Sequence, residues 1–358
     1  MNPVLQSAIL INKNSKNVSI NNEKIHSAAL KVLDGINSTE YSTNAWKQHE
    51  LNPNVANEEA VEWIFVIDLL NFCFWTTKDK KSREYSVSYN GKSYTGYWSL
   101  CASINRALDE GIPITDPSYY SKISRNELEY IFRSSSSNQE QIKMLDERLE
   151  ILNEAGKVLV DKFEGRFVNC LKQANNSSLK LVDLLTTNFP SFDDKQVVQF
   201  DGLQTVKFNK RAQILVADIW ACFENEGLGK FTDIDSLTMF ADYRVPQVLL
   251  YLGILEYSEQ LYNFLLASNS CSLPKNDLAG KDLNSGVLPS GHIYEIEIRG
   301  NSILVVELLR QEINKLLQQN GKPGINSVLL DFYLWDYAKK YSELMDHIPI
   351  HLVKSVYY

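Results

Sequence analysis

The sequence predicts a mainly α-helical protein with a few short β-strands, and three observations support this class. Apolar residues recur at helical spacing over long stretches, above all between residues 124 and 188. Strand patterns are few and short, and one of them flanks a tight-turn dipeptide. The 358 residues are 44% hydrophobic, which is enough apolar material for a sizeable core, and they contain no internal repeat. We therefore expect one compact helical domain over residues 1–358, with residues 1–24 as a peripheral N-terminal segment.

The first hundred residues combine two helices with a hairpin. Residues 12–24 are polar and predict a loop, which is followed by a helix containing residues 26–33. Residues 58–70 carry apolar side chains at helical spacing and predict the second helix. Two alternating runs between residues 85 and 95 flank Asn90-Gly91. Since this dipeptide favours tight type I′ turns, we expect a β-hairpin there.

Helices dominate the middle of the chain. A helix is predicted over about residues 97–110. Ser124 and Glu127 have the spacing of a capping box, at the start of a helical pattern that runs to residue 188. Another strong helical pattern covers about residues 210–223.

The C-terminal part combines a surface segment, a strand and two helices. Residues 268–292 are rich in Ser, Asn, Gly and Pro and predict a surface excursion. Residues 293–299 alternate between apolar and acidic side chains and predict a strand. Helices over about residues 301–318 and 326–341 complete the expected architecture.

Asp242 lies in the bend before a short apolar helix. Pro246 fits the first position of that helix, because its fixed φ suits the site and its missing N–H needs no partner there. The apolar run Val248–Leu252 follows, and Gly253 suits the helix C-terminus. An ionised carboxylate beside the positive end of the helix dipole could stabilise a developing cation. The structural alternative is an N-cap aspartate, which is common at helix starts.

Two further carboxylates lie inside a very aromatic predicted helix over residues 326–337. At about 100° per residue, Asp331 and Asp336 are about 140° apart around the helix and can flank one side of it. A buried carboxylate without a partner is costly, so each should meet a cation or hydrogen-bond donors. The partner is either an Arg or Lys of a neighbouring helix or a ligand that offers N–H donors or a positive charge, and the sequence leaves both open.

Other candidate residues rest on weaker patterns. His49 lies on a loop before an apolar helix, where a lone histidine is more often structural than catalytic. The candidates for holding one phosphate group are Lys210, Arg211, Arg244 and Arg299. For each of them the alternative role is a surface or core salt bridge. We select Lys210 and Arg244 as the phosphate-binding residues.

Charge and cysteine usage exclude several classes of protein. The formal net charge is −8 and no dense Lys/Arg block occurs, which argues against a whole nucleic acid as ligand. The five cysteines are scattered without a C-x-x-C pair, and the five histidines lack metal-ligand spacing. We therefore expect a reducing compartment, no metal and no organic cofactor. P-loop, dinucleotide-binding and G-x-S-x-G patterns do not occur in the sequence.

The N-terminus is polar after Leu10-Ile11 and resembles neither a signal peptide nor a membrane anchor. A soluble, cytoplasmic protein is therefore expected.

Several long motifs occur in order along the chain: Leu70–Trp75, Ile104–Pro113, Lys210–Asp218, Met239–Gln247 and Asp331–Asp336. Together they resemble the queuosine salvage family, the queuosine 5′-phosphate N-glycosylases, over nearly the whole chain from about residue 49 to residue 358. The resemblance implies a mostly helical fold related to DNA glycosylases. It also implies hydrolysis of the N-glycosidic bond of queuosine 5′-monophosphate, which releases queuine and ribose 5-phosphate for tRNA queuosine modification.

The resemblance also implies roles for individual residues. Asp242 takes the family's catalytic aspartate position. The positions that line the base pocket are implied to be His49, Phe240, Ala241, Asp331, Phe332 and Asp336. The expected partners are the nucleotide substrate and the queuine product, without intact nucleic acid or a membrane.

The chemistry of the substrate fits these residues. Queuine is a 7-deazapurine, so protonation of the leaving base at N7 is unavailable, and more of the barrier falls to stabilising the oxocarbenium-like ribose. Asp242 could stabilise this cation or attack C1′ as a nucleophile. The N–H donors of the base and the ammonium of its arm suit Asp331 and Asp336. Phe240 and Phe332 could sandwich the flat ring.

Two alternatives from other classes stay open. A non-catalytic carrier or sensor for queuine or a modified nucleotide would use the same pocket. A glycosylase that acts on bases within DNA is suggested by the implied fold, and the net charge of −8 weighs against it.

Overall fold

A computed structural model of the chain describes residues 2–76, 84–135, 140–269 and 287–358, and helices dominate these residues. The predicted class, mainly α with a few short strands, is confirmed. The chain divides into two compact units. The first comprises Met1–Ser42, Asp194–Lys210 and Ile234–Lys354, and the second comprises Thr43–Asp193, Arg211–Asp233 and Ser355–Tyr358. That residues 1–358 act as one domain stays a prediction.

The helices that the structure describes are, in chain order, α1 (Pro3–Asn14), α2 (Ile25–Ser38), α3 (Asn44–Lys47), α4 (Glu58–Leu69), α5 (Tyr97–Asp109), α6 (Pro117–Tyr120), α7 (Arg125–Ile131), α8 (Leu145–Lys162), α9 (Phe167–Gln173), α10 (Ser178–Asn188), α11 (Lys210–Cys222), α12 (Val245–Tyr251), α13 (Glu259–Asn269), α14 (Ile293–Gln319) and α15 (Ser327–Lys340). The strands in the same residues are β1 (Val18–Ile20), β2 (Ser86–Tyr89), β3 (Lys92–Thr95), β4 (Lys195–Phe200), β5 (Gly202–Lys207) and β6 (Leu255–Tyr257). They form antiparallel pairs, β1 with β6, β2 with β3 and β4 with β5.

The N-terminal helix α1 belongs to the core of the first unit, where it packs against the long helix α14. Asn2 caps α1, because its side chain accepts a hydrogen bond from the Val4 N–H at 2.8 Å, and Ile11 is fully buried. The strand β1 then pairs with β6. The described part of residues 1–24 is therefore not peripheral to the first unit, and residues 12–24 are not one loop, because they contain the end of α1 and the strand β1. Their packing partners lie far along the chain, so the local polarity of the segment did not reveal them.

Helix α14 replaces the strand predicted at residues 293–299. The alternation of apolar and acidic residues is real, but the acidic residues are buried as well. Glu297 accepts hydrogen bonds from the backbone N–H groups of residues 16–18, and Glu295 pairs with Arg299 one helical turn away. Residues 294–303 of α14 are buried on all sides, so the polarity of this part shows no helical period, and for this reason the period of two was misleading.

The second unit confirms two local predictions. The β2–β3 hairpin turns at Asn90-Gly91, whose φ values of 49° and 77° are positive, as a type I′ turn requires. At the start of α7, Ser124 and Glu127 form the expected capping box, with the Ser124 N–H donating to Glu127 Oε2 at 2.8 Å. The helices predicted at residues 58–70, 97–110 and 210–223 correspond to α4, α5 and α11.

The β4–β5 hairpin was not predicted, although the sequence carries a pattern that indicates it. Asp201-Gly202 separates two short runs with β-branched and aromatic residues, and Asp-Gly is a dipeptide typical of hairpin turns. The surface excursion predicted at residues 268–292 lies largely outside the described residues, which resume at residue 287.

Candidate active site

Asp242 lies in the first unit, three residues before the first residue of α12. Its Oδ1 accepts hydrogen bonds from the Arg244 N–H at 3.0 Å and the Val245 N–H at 2.8 Å. The N-cap of α12 is Arg244, so Asp242 is not the N-cap as such, but its Oδ1 serves two N–H groups at the helix start that lack partners within the helix. Both of these backbone donors use Oδ1. Oδ2 is therefore the oxygen that is better suited to meet a substrate.

The local sequence explains why the chain bends at this point. Pro246 occupies the second helical position after Val245, one residue later than predicted, where its fixed φ is equally suitable. Gly253 follows the helix with a φ of 69°, as predicted for a left-handed C-terminal residue.

Burial and two positive charges set the electrostatics of Asp242. The residue is 8% exposed, and burial raises the pKa of its carboxyl group. The charge of Lys210 opposes this rise in pKa, as do the two backbone donors and the charge of Arg244. Lys210 is itself buried, in the first turn of α11. The site therefore holds a desolvated carboxylate whose ionised form depends on a nearby ammonium group.

Asp331 on α15 lies close to Asp242. It is 4% exposed, and its Oδ1 accepts a hydrogen bond from the Phe240 N–H at 2.8 Å. Burial and the like charge of Asp242 raise the pKa of Asp331 well above its usual range. Asp242 accepts two N–H donors and Asp331 accepts one, which favours the ionised form of Asp242 over the ionised form of Asp331.

Phe240 and Ala241 lie directly before Asp242 in the chain, and Phe332 follows Asp331. Phe240 and Ala241 are buried and Phe332 is half-buried. The rings of Phe240 and Phe332 are 6.2 Å apart at an interplanar angle of 57°. Two sides of a slot for a flat base would be parallel, so these rings do not form the expected sandwich as they stand.

Asp336, the second acid of α15, has different surroundings. It is exposed, and its Oδ2 accepts a hydrogen bond from the hydroxyl group of Tyr41. Burial raises the pKa of Tyr41, and the charges of Asp336 and Asp331 raise it further. Tyr41 therefore faces both acids of the helix. No signal in the sequence selects Tyr41, because it precedes Asp336 by 295 positions and belongs to no motif.

The four candidates for a phosphate site fall into two groups, two arginines with structural contacts and two residues that stay candidates. Arg211 and Arg299 are fully buried and make structural contacts in the protein interior. For these two residues the structural alternative to phosphate binding applies. Arg211 donates to the backbone oxygens of Asp68 and Leu69 at 3.1 and 2.6 Å. Arg299 forms an ion pair with Asp194.

Arg244 and Lys210 stay as phosphate candidates. The half-buried Arg244 lies before the start of α12 with its guanidinium over the Tyr243 ring, 5.4 Å from the centroid. The charges of Lys210 and Arg244 both act on Asp242.

His49 lies in the second unit. Its ring stacks on Trp98 at an interplanar angle of 6°, and its Nδ1 accepts a hydrogen bond from the Leu51 N–H at 3.3 Å. Burial lowers the pKa of His49, so the ring is neutral at pH 7. Its role in binding the base stays a prediction.

No metal or membrane segment is found in the part of the chain that the structure describes. Within it, no group of three or more His, Cys, Asp or Glu side chains could hold a metal ion. None of the helices described here is both long and apolar enough to cross a bilayer.

Comparison with known proteins shows extensive similarity. The profile of a protein family described as "Queuosine salvage protein" matches residues 51–358. The chain is 44% identical over 357 residues to the queuosine 5′-phosphate N-glycosylase/hydrolase of Bos taurus, and the alignment covers 99% of this chain and 98% of that protein. Identity to the protein of the same name from Schizosaccharomyces pombe is 39% over 375 residues, with both chains covered in full. The Sphaerobacter thermophilus protein of that name is 35% identical over 333 residues, which cover 93% of this chain and 92% of that one.

Proposed function

This chain belongs to the queuosine salvage protein family, and on that premise we propose that it hydrolyses the N-glycosidic bond of queuosine 5′-monophosphate, with Asp242 facing the ribose. Water supplies the oxygen that bonds to C1′, the bond from C1′ to the base breaks, and the proton of the water ends on the released base. The products are queuine and ribose 5-phosphate.

One observation carries the proposal: Asp242 is a buried carboxylate with one oxygen fixed by two backbone donors. A fixed anion in a desolvated site stabilises positive charge far better than one in water, because it need not reorganise during the reaction. Positive charge develops on the ribose as the bond to a 7-deazapurine breaks. Asp242 therefore suits either stabilisation of this cation or attack on C1′.

The acids of α15 suit the base. Asp331 lies beside Asp242, and its carboxyl group can accept hydrogen bonds from the N–H edge of the ring. Asp336 is exposed and suits the ammonium of the cyclopentenediol arm. Phe240 and Phe332 would have to rotate from their tilted arrangement to stack on both faces of the base, or only one of them stacks on it.

Arg244 is the stronger of the two phosphate candidates. Lys210 already faces two buried acids, whereas the guanidinium of Arg244 is half-buried beside the α12 start. A guanidinium also offers a planar pair of donors that matches phosphate oxygens. We assign the 5′-phosphate to Arg244, with Lys210 contributing its charge.

The proposal is tested by incubating the protein with queuosine 5′-monophosphate and measuring free queuine by chromatography. We expect release by the wild-type protein and a loss of about 100-fold or more in kcat/KM for Asp242→Asn, since a neutral amide cannot stabilise the ribosyl cation. Circular dichroism should show that this variant is folded, because Asn can still accept the Arg244 and Val245 N–H groups.

Asp235→Asn is the matched control, because it makes the same change at an exposed acid of the same unit. It should keep the wild-type rate. Full activity of Asp242→Asn would remove Asp242 from the catalytic role, and tight binding of queuine without turnover by the wild-type protein would overturn the hydrolase proposal.

A further inference from the structure

Another buried acid, Asp194, holds the start of α11 in place. It is 1% exposed, and its Oδ2 accepts a hydrogen bond from the Lys210 N–H at 3.2 Å. Its backbone oxygen accepts hydrogen bonds from the Phe208 N–H at 2.9 Å and the Asn209 N–H at 3.3 Å. One residue thus fixes the three positions that lead into the helix on which Lys210 stands.

The backbone before Lys210 needs such a support. Asn209 has a φ of 48°, in the left-handed region that few residues other than Gly and Asn adopt readily. The chain therefore changes direction sharply just before Lys210. The direction in which the Lys210 side chain leaves the helix depends on this bend.

Asp194 is in turn fixed by Arg299 of α14. The two guanidinium nitrogens of Arg299 donate to the two oxygens of Asp194, at 2.5 and 3.0 Å, and the pair is fully buried. Arg299 also lies 3.4 Å from Glu295 and 4.0 Å from the centre of the Phe208 ring. This planar, two-point geometry connects the long helix of the first unit to the α11 start.

We propose that Asp194, held by Arg299, is a positioning residue that keeps the ammonium group of Lys210 directed at Asp242 and Asp331. The proposal rests on the proposed function only for its kinetic readout, since the arrangement of the four side chains can be probed without substrate.

Displacement of Lys210 would change the pKa of Asp242 in a definite direction. The charged groups that face Asp242 are Lys210 from α11, Arg244 from the start of α12 and Asp331 from α15. The Lys210 charge opposes the rise in pKa that burial causes in Asp242, so a displaced Lys210 lets the pKa of Asp242 rise further. Removal of the Asp194 charge alone would instead lower that pKa. The sign of the shift therefore separates a positioning role from a direct effect of charge.

The experiment compares wild-type protein with Asp194→Asn and Lys210→Met. The pKa of Asp242 is followed in the free protein by carbon-13 NMR of labelled aspartate, with Asp242→Asn to assign the signal. The acidic limb of the profile of kcat/KM against pH is the second readout. We expect Asp194→Asn to raise both values by about half a pH unit or more, in the direction of Lys210→Met. The double variant should shift no further than Lys210→Met alone.

Asp233→Asn is the matched control, because Asp233 is a carboxylate that accepts backbone N–H groups at the start of α10 in the second unit. It should lower stability without moving the pKa of Asp242. If Asp194→Asn does not fold, Arg299→Lys keeps the charge, loses the two-point geometry and should give a smaller shift of the same sign.

An unchanged or lowered pKa of Asp242 in folded Asp194→Asn, or shifts that add in the double variant, would overturn the positioning role. Failure of the wild-type protein to release queuine would count against the proposed function alone, because the NMR measurement needs no turnover.

Discussion

Asp331 and Asp336 are acids of one helix whose carboxyl groups meet different surroundings. Asp331 is buried beside Asp242 and accepts one backbone hydrogen bond, whereas Asp336 is exposed and accepts the Tyr41 hydroxyl group. In the free protein the pKa of Asp331 is raised well above its usual range. N–H donors of a bound base would favour its ionised form instead. Binding of the base should therefore change the protonation of Asp331.

We predict that queuine binding releases up to about one proton, and that the number falls as the pH rises above the raised pKa of Asp331. Titration calorimetry in buffers of different ionisation enthalpy measures this number directly. Asp331→Asn should bind queuine without releasing a proton, because its amide has no titratable proton. The amide oxygen can still accept a hydrogen bond from the Phe240 N–H.

Asp235→Asn is the control, since it makes the same change at an exposed acid that has no role in the proposed binding, and proton release should persist. Binding enthalpies that are equal in all buffers for the wild-type protein would show that Asp331 keeps its protonation state on binding.

The residues of the site differ in how far the sequence could reveal them. Asp242 and Phe240 lie within one contiguous motif, where a proline and an apolar run determine the bend. Tyr41 and Asp194 act through side chains that are distant in sequence, at Asp336 and Arg299. No local pattern encodes such a contact. These residues could be recognised only after the chain had folded.

At the level of elements, local rules succeeded where one short segment determines the structure. The Asn90-Gly91 turn, the capping box at Ser124 and the bend before α12 each need only a few adjacent residues. They failed at the N-terminal part of α14, where polarity no longer has the helical period because residues 294–303 are buried on all sides. They also failed at α1, whose buried face is matched by a distant helix.

The contact between α1 and α14 leads to a prediction for Gly300. A Cβ atom at this position would lie 2.6 to 2.7 Å from atoms of Ile11, which is closer than real contacts allow. We expect Gly300→Ala to lower the free energy of unfolding by about 1 to 3 kcal/mol, although Ala is the better helix former by about 1 kcal/mol. Denaturant unfolding measures the loss.

Ile11→Gly provides the control, because it removes all three atoms, Cβ included, that the added methyl group at position 300 would meet. In this background the cost of Gly300→Ala should shrink or change sign. Equal costs in the two backgrounds would show that the close approach of α1 to α14 does not limit residue 300.

At the scale of the whole molecule, the free energy of unfolding depends on pH through buried groups of the first unit that bind protons differently in the folded and unfolded chain. Burial, together with the charge of Arg299, lowers the pKa of His351 from 6.5 to about 3. Burial raises the pKa of Glu295 from 4.5 to about 7, although Arg299 opposes this. Between pH 4.5 and 6.5 the unfolded chain binds the His351 proton and the folded chain does not, so this residue makes stability fall as the pH falls. Glu295 keeps its proton only in the folded chain, so it makes stability fall as the pH rises.

The two effects oppose each other in the same pH window, and single substitutions should separate them. Relative to the wild-type protein, His351→Gln should gain stability as the pH falls from 6.5 to 4.5, by about 1.4 kcal/mol per unit. Glu295→Gln should gain it as the pH rises through the same window. Because other groups titrate equally in all variants, the difference from wild type isolates each residue. The double variant should follow the wild-type pH dependence, and denaturant unfolding at several pH values measures all four proteins. A His351→Gln variant that tracks the wild type at every pH would mean that His351 takes up its proton in the folded chain.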